Sequence, residues 1–146
     1  MEVFQNEFCI STDKSRIDTL LVHEFLSNAY WSEGIPLDVL KKSIRNSLCF
    51  GIYKDGKQVG FARVVSDLAT YAWLADVFVI PEQRNKGLSK WLMQVIVDHP
   101  DLQGLRRFVL ATRDAHLLYA QFGFREYSNP ERLMSRYDPD VYKKGK

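Results

Sequence analysis

Residues 75–92 read ADVFVIPEQRNKGLSKWL, and this stretch decides the fold. Its first six residues are apolar except for Asp76 and are rich in β-branched side chains, which is typical of a strand. Pro81 ends the strand because it has no N–H to donate to a neighbour. From Leu88 onward, apolar residues recur at i, i+3, i+4, i+7 and i+8, which predicts an amphipathic helix over residues 88–97.

The turn between strand and helix has the composition of an anion site. It contains Arg84 and Lys86, and Gly87 lets a ligand approach the backbone closely. The first N–H groups of the following helix have no internal partner, and the helix dipole adds positive potential there. An ordinary strand-to-helix connection with solvated basic side chains is the alternative interpretation of the same residues.

This turn resembles a known motif. Residues 81–89, PEQRNKGLS, are similar to the acetyl-CoA signature of the GCN5-related N-acetyltransferase (GNAT) family, Arg/Gln-x-x-Gly-x-Gly/Ala. Arg84 and Gly87 match its first two defined positions, and Ser89 is a small residue where the family has Gly or Ala. The resemblance implies acetyl-CoA as cosubstrate and a set of residues that bind it: Val77, Phe78, Val79, Arg84, Asn85, Lys86, Gly87, Leu88 and Ser89. Backbone N–H groups around Phe78 and Val79 would stabilise the charge that develops on the thioester oxygen.

A second signature lies nearer the C-terminus. Residues 114–124, DAHLLYAQFGF, resemble the family segment Ala-x-x-Leu-Tyr-x-x-x-Gly-Phe, and the resemblance covers about residues 50–127. It implies that Tyr119 is a general acid that protonates the departing thiolate. Where many members carry Asn, seven residues before this tyrosine, the chain has Thr112. A hydroxyl can replace only part of the hydrogen bonding of an amide.

The rest of the pattern predicts an α+β sandwich. We expect strands at 3–10, 48–53, 59–66, 71–80, 107–112 and 124–127, and helices at 15–29, 37–46, 88–97 and 114–122. Asp55-Gly56 predicts a tight hairpin, and the run Phe108–Leu110 favours a central strand. The family resemblance implies a mixed, mostly antiparallel sheet with a V-shaped splay between its central strands and helices on both faces. A chain of 146 residues fits a single domain, residues 1–146.

Composition excludes several classes of protein. A net charge of +2 without a pattern of stacking aromatics argues against a nucleic-acid-binding module. No apolar run approaches the ~20 residues that span a membrane, and the N-terminus lacks the features of a signal peptide. Cys9 and Cys49 have apolar neighbours and form no C-x-x-C pair, so we expect buried, reduced thiols and a cytoplasmic protein. The three histidines lack metal-ligand spacing, and no metal is expected.

The base that removes the proton of the acceptor amine has three candidates. Glu33 lies in the aromatic-rich break between the first two helices, which covers the acceptor site in the family. Asp76 lies on the central strand, and Asp67 is the third; a water relay without a dedicated side chain is the alternative. Of the three we choose Glu33. Tyr30 and Trp31 either line an acceptor pocket, for an amine that a cation–π contact would favour, or plug the core.

The predicted function is transfer of the acetyl group of acetyl-CoA to a primary amine, most simply that of a small molecule, by a monomer or homodimer. Two alternatives stay open: a non-catalytic acyl-CoA-binding sensor or regulatory module, and an acetyltransferase for protein N-termini or lysines. The tail, residues 138–146, is polar and either disordered or engaged in a dimer.

Overall fold

The computed structural model describes residues 1–143. The strands are β1 (Glu2–Gln5), β2 (Phe8–Ser11), β3 (Leu48–Lys54), β4 (Lys57–Ser66), β5 (Tyr71–Val79) and β6 (Arg107–Leu110). The helices are α1 (Thr19–Ser27), α2 (Leu37–Arg45), α3 (Leu88–Val97) and α4 (His116–Ala120). No helix among residues 1–143 combines the length and the apolar character needed to cross a bilayer.

The six strands form one sheet in the order β1-β2-β3-β4-β5-β6. Strands β1 to β5 are antiparallel to their neighbours, and β6 is parallel to β5 because the chain crosses over through α3. The predicted hairpin between β3 and β4 is confirmed, with Asp55 and Gly56 at φ values of 50° and 77°. The predicted α+β class, with a mixed and mostly antiparallel sheet, is therefore confirmed.

Helices cover both faces of the sheet, as predicted. On one face, the buried side chains of α1 and α2 pack on β3, β4 and β5 around Phe61 and Phe78. On the other face, α3 and α4 pack on a larger cluster that includes Phe50, Leu92 and Ile96. Helix α3 is the most deeply buried, with five of its ten residues in the core. Four of them belong to the predicted apolar stripe and the fifth is Met93, while Trp91 of the stripe is only half-buried.

The N-terminal predictions were wrong in detail. Residues 3–10 form two short strands because Asn6, at φ 54°, turns the chain back on itself. The helix predicted from residue 15 begins only at Thr19. Asp13 caps a single 3₁₀ turn over Lys14–Arg16, the chain is extended at Ile17, and Asp18 then caps α1.

The C-terminal third also departs from the prediction. Strand β6 lies at the edge of the described sheet and is not central, and residues 124–127 form no strand. Helix α4 starts at His116 because the Thr112 hydroxyl accepts the N–H of Ala115 and holds the preceding turn. Of the tail predicted from residue 138, residues 144–146 lie outside the described part of the chain.

Candidate active site

The sheet opens between β5 and β6. The two strands pair only from Tyr71 with Arg107 to Leu74 with Leu110, and β5 then continues to Val79 without β6 beside it. On its other side β5 stays bonded to β4, and the N–H of Ile80 donates to the carbonyl of Val59 (2.9 Å). Since N–H directions alternate along a strand, the N–H of Val79 points into the open gap.

A β-bulge lies where the gap begins. Phe61 of β4 pairs with Phe78, and Arg63 pairs with Ala75. Two residues of β5, Asp76 and Val77, therefore lie opposite the single residue between Phe61 and Arg63. Asp76 adopts φ 58°, a left-handed conformation that aspartate tolerates better than most residues. Bulges of this kind re-aim strands next to functional sites.

The carboxylate of Asp76 is fully engaged. It accepts from Arg63 Nε (2.8 Å) through one oxygen and from the indole Nε1 of Trp31 (3.0 Å) through the other. Its side chain is 8% exposed and that of Arg63 is 18% exposed. Because Trp31 lies in the connection between α1 and α2, its hydrogen bond to Asp76 ties that connection to the bulge. Because both oxygens have donors, the geometry favours a structural role for Asp76 over that of a base.

The turn after β5 presents backbone N–H groups. Arg84 folds back so that its Nε donates to the carbonyl of Val79 (2.9 Å) and closes the end of the strand. Asn85 and Gly87 have φ values of 65° and 77°, and Gly87 is the N-cap of α3. No side chain of the described chain caps α3 at this position, so the N–H groups of its first turn are open to a ligand. A Cβ placed on Gly87 would have no atom within 4 Å, which leaves room in front of these donors.

A cavity of about 740 Å³, here called the α1 cavity, lies between α1 and the end of β5. Its walls are mostly apolar, and Phe25 stacks on Phe78 beneath it with ring centroids 4.0 Å apart. Tyr30 and Trp31, in contact edge to face, form one end. The lining residues are Leu21, Glu24, Phe25, Asn28, Ala29, Tyr30, Trp31, Ile80, Pro81 and Glu82.

Tyr119 lies on α4, on the opposite side of the gap from the turn. Burial raises the pKa of its hydroxyl, and the nearby Asp114 and Tyr30 raise that pKa further. Arg113, which precedes α4, stands over the ring of Tyr30 at 3.9 Å from its centroid. Tyr30 therefore connects the α1 cavity to the side of the gap that carries Tyr119.

A second cavity, about 900 Å³ and here called the β6 groove, runs along β6 and α4. Tyr119 and Thr112 line it, together with residues of the stretch 124–130. The Thr112 hydroxyl is already used to hold the turn before α4.

Comparisons with known proteins assign the chain to a family. The model of the acetyltransferase (GNAT) domain matches residues 45–126, which is more than half of the sequence. The chain belongs to the GNAT acetyltransferase family.

Similar proteins agree with this assignment. A crystal structure of a proposed GNAT acetyltransferase from Xanthomonas campestris pv. campestris is 52% identical, with a TM-score of 0.92 over 95% of this chain and 99% of that one. FG08082 of Gibberella zeae, proposed to be an acetyltransferase, is 29% identical over 84% of this chain and 82% of its own. The peptidyl-lysine N-acetyltransferase YiaC of Escherichia coli K12 is 33% identical over 55% of this chain and 52% of its own length.

The structure places several of the residues predicted from the sequence near the end of β5. The turn with Arg84 and Gly87 follows β5 directly, and Tyr119 lies on α4, which follows the neighbouring strand β6. Phe78 differs in one respect: its N–H faces β4, and its side chain forms the floor beneath α1. Glu33 is exposed and lies outside the lining of both cavities.

The remaining acidic candidate lies elsewhere. Asp67 holds the turn between β4 and β5, where it accepts from the backbone N–H groups of Ala69, Thr70 and Tyr71. The hydrogen bond from the Thr70 hydroxyl, together with these backbone bonds, holds the pKa of Asp67 well below its usual range, so it is a poor base. It precedes β5, whereas the gap opens at the far end of that strand.

The cysteines are buried free thiols, as predicted. Burial raises the pKa of Cys49 to about 11, so it is protonated and a poor nucleophile near neutral pH. No group of three or more potential metal ligands occurs among residues 1–143.

Sequence reasoning missed two carboxylates of the α1 cavity, Glu24 and Glu82. In the sequence, Glu24 lies three residues after Leu21 and directly before Phe25, so a helix places all three on one stripe. What the sequence lacked was any sign that this stripe extends beyond the core and lines an opening.

Proposed function

We propose that the protein transfers the acetyl group of acetyl-CoA to the primary amine of a small molecule, with Tyr119 as the general acid. One observation carries the proposal: Tyr30 ends the α1 cavity and lies close enough to Tyr119 to raise the pKa of its hydroxyl, and the N–H of Val79 faces away from β4 at the end of β5. An acceptor, a proton donor and a donor to the carbonyl oxygen are the three elements that amine acetylation needs.

GNAT acetyltransferases use acetyl-CoA, and the residues of the turn fit its pyrophosphate. Uncapped N–H groups at the start of α3, beside the left-handed residues Asn85 and Gly87, form a concave set of donors suited to an anion. Arg84 and Lys86 add positive charge. The side chain of Arg84 is partly used to fix the end of β5, so it contributes mainly by keeping the turn in place. When bound there, the cosubstrate supplies the activated acetyl group.

The chain's own groups then promote transfer in three ways. The backbone of β5 fixes the direction of the Val79 N–H, which donates to the oxygen that gains negative charge as the amine attacks. A fixed site holds amine and thioester together, which lowers the barrier by positioning. Tyr119 donates its phenolic proton to the sulfur as the carbon–sulfur bond breaks. Its raised pKa keeps that proton in place at neutral and mildly alkaline pH.

Glu24 and Glu82 are better placed than Glu33 to accept the proton of the amine. Both line the α1 cavity, whereas Glu33 does not. Both are exposed, so the proton reaches solvent directly or through water. Their negative charge also favours a cationic acceptor before it loses its proton.

The shape of the α1 cavity supports a small acceptor. A volume of about 740 Å³ lies in the range of small-molecule sites, and the apolar walls suit the body of an amine. The second candidate is a lysine side chain of a protein, which the partial similarity to YiaC favours.

The test follows thiol release from acetyl-CoA with a panel of alkyl- and arylalkylamines and lysine peptides. We expect turnover with amines, and a decrease in kcat of about 10²-fold or more in Tyr119→Phe, which is typical of losing a general acid. Tyr71→Phe, at the distant start of β5, is the matched control and should leave kcat unchanged.

The competing outcomes are distinct. Turnover restricted to peptides would replace the small acceptor by a protein lysine. Tight binding of acetyl-CoA without turnover on any acceptor would favour the sensor. A Tyr119→Phe variant that keeps wild-type kcat would eliminate the tyrosine mechanism.

A further inference from the structure

The wall of the α1 cavity contacts the bulge of β5 at both of its ends. At the start of the bulge, the indole Nε1 of Trp31 donates to the carboxylate of Asp76 (3.0 Å). Two residues further along β5, the ring of Phe78 stacks on that of Phe25, with centroids 4.0 Å apart. Trp31 and Phe25 both line the α1 cavity. The bulge and the wall of the proposed acceptor site therefore form one packed unit.

The connection that carries Trp31 is fastened to α1 by hydrogen bonds of its own. The buried hydroxyl of Ser32 donates to the carbonyl of Leu26 (2.7 Å). On the other side of the connection, the ring Nε2 of His23 donates to the carbonyl of Ile35 (2.8 Å). Trp31 is thus held on α1 without help from β5, so its indole is a fixed donor that faces the bulge.

The backbone of Asp76 needs such a donor because its φ of 58° lies in the left-handed region. A change to regular strand conformation at Asp76 would remove the extra residue from the bulge. Strict alternation would then turn the N–H of Phe78 toward the gap in place of that of Val79. The hydrogen bond from Trp31 and the ion pair with Arg63 both oppose this change.

The two donors to Asp76 lie on different sides of the bulge. Arg63 is mostly buried, and its Nη1 also donates to the buried hydroxyl of Ser47 (3.1 Å), which precedes β3. Trp31 is 45% exposed and borders the space proposed for the acceptor. Arg63 therefore joins the bulge to the interior of the fold, whereas Trp31 joins it to the acceptor side of the site.

We infer that Trp31 is a positioning residue for acetyl transfer. Its indole N–H holds Asp76, Asp76 maintains the bulge, and the bulge keeps the N–H of Val79 directed at the thioester oxygen. The inference rests on the proposed function for its reaction, but the state of the bulge can be measured without turnover. No short motif marks Trp31 for this role, because its partner lies 45 residues away along the chain.

The kinetic test uses Trp31→Phe, which keeps an aromatic ring in the cavity wall and removes the N–H donor. We expect kcat for amine acetylation to fall about tenfold. This is less than the ~10²–10³-fold cost of deleting an oxyanion donor, because the N–H of Val79 is still present but less well aligned. The Kd of acetyl-CoA should stay close to that of the wild type, since its pyrophosphate is proposed to bind at the separate turn before α3.

The matched control is Trp73→Phe. Trp73 lies on β5 as well, is 36% exposed and does not line the α1 cavity, so its substitution should leave kcat unchanged. A Trp31→Phe variant with wild-type kcat would overturn the inference, even if the KM of the amine rises, because Trp31 would then serve only as part of the cavity wall.

Amide hydrogen exchange, followed by NMR, tests the same inference without turnover. The N–H of Phe78 faces β4 and should be protected in the wild type. We expect its protection to fall selectively in Trp31→Phe, relative to the protected amides of β3 inside the sheet, and to be kept in Trp73→Phe. Equal protection of Phe78 in the wild type and Trp31→Phe would overturn the inference. A selective loss in a protein that acetylates no amine would refute the proposed function and still support the control of the bulge by Trp31.

Discussion

Gly87 and Gly56 form a natural pair for testing the acetyl-CoA site. Both have φ 77°, and a Cβ on either would meet no atom within 4 Å. Substitution by alanine therefore introduces the same left-handed strain at both positions, about 1 kcal/mol, without a steric clash inside the protein. Gly56 turns the hairpin between β3 and β4, whereas Gly87 is the N-cap of α3, where the pyrophosphate is proposed to bind.

Urea unfolding should therefore show nearly equal losses of stability for Gly87→Ala and Gly56→Ala. Their affinities for acetyl-CoA, measured by isothermal titration calorimetry, should differ. A methyl group on Gly87 displaces the anion from at least one N–H. A hydrogen bond to a charged group contributes about 1.5–3 kcal/mol, so Kd should rise about 10- to 100-fold. Gly56→Ala should leave Kd unchanged. Equal Kd values for the two variants would show that the turn before α3 does not bind the cosubstrate.

Two further substitutions test the environment of charged and titratable groups. Asp76→Asn leaves the guanidinium of Arg63 without its carboxylate and should lower the free energy of unfolding by about 3 kcal/mol. The exposed pair of Asp140 and Lys143 is the control, and Asp140→Asn should cost under about 0.5 kcal/mol. Loss of kcat by 10²-fold in well-folded Asp76→Asn, with a changed pH profile, would instead identify Asp76 as the base. Burial lowers the pKa of His99, although Asp101 acts in the opposite direction. The unfolded chain therefore binds a proton at His99 more readily than the folded protein does. The free energy of unfolding should accordingly fall as the pH drops below about 6.5, the pKa of an unfolded histidine. His99→Gln should flatten that dependence in urea midpoints measured between pH 5 and pH 7.5, and an unchanged slope would contradict it.

The parts of the fold that the sequence predicted are those that local chemistry determines. The Asp-Gly hairpin requires two left-handed residues in succession, and few other pairs adopt them readily. The apolar stripe of α3 has only one way to face a core, so its bounds were predicted to the residue. The two motifs led in the same way to the proposals for Tyr119 and the turn before α3, because each is a short run that is recognised without reference to distant residues.

The errors concern features that depend on distant residues. An apolar run such as Phe108–Leu110 predicts a central strand, but β6 lies at the edge of the described sheet. Residues of the stretch 124–130 line the groove along it without forming a strand, and a local pattern does not reveal such a covering segment. Glu24 was missed for a related reason: whether a helical stripe ends in a core or in a cavity depends on what the facing elements leave open, here the end of β5.

Asp76 shows how one residue redirects the chemistry of the site. In a regular strand, the face of a side chain and the direction of its N–H change together at every residue. Strict alternation from Leu74, which packs under α3, would place Phe78 on the same face as Leu74 and aim its N–H at the gap. The extra residue in the bulge reverses this order. Phe78 instead stacks on Phe25 beneath α1, while Val79 packs on the α3 side and its N–H faces the gap. Arg63 and Trp31 hold the left-handed Asp76 in place, so the ion pair and the indole fix which backbone N–H of β5 faces the gap, and therefore which donor the proposed reaction would use.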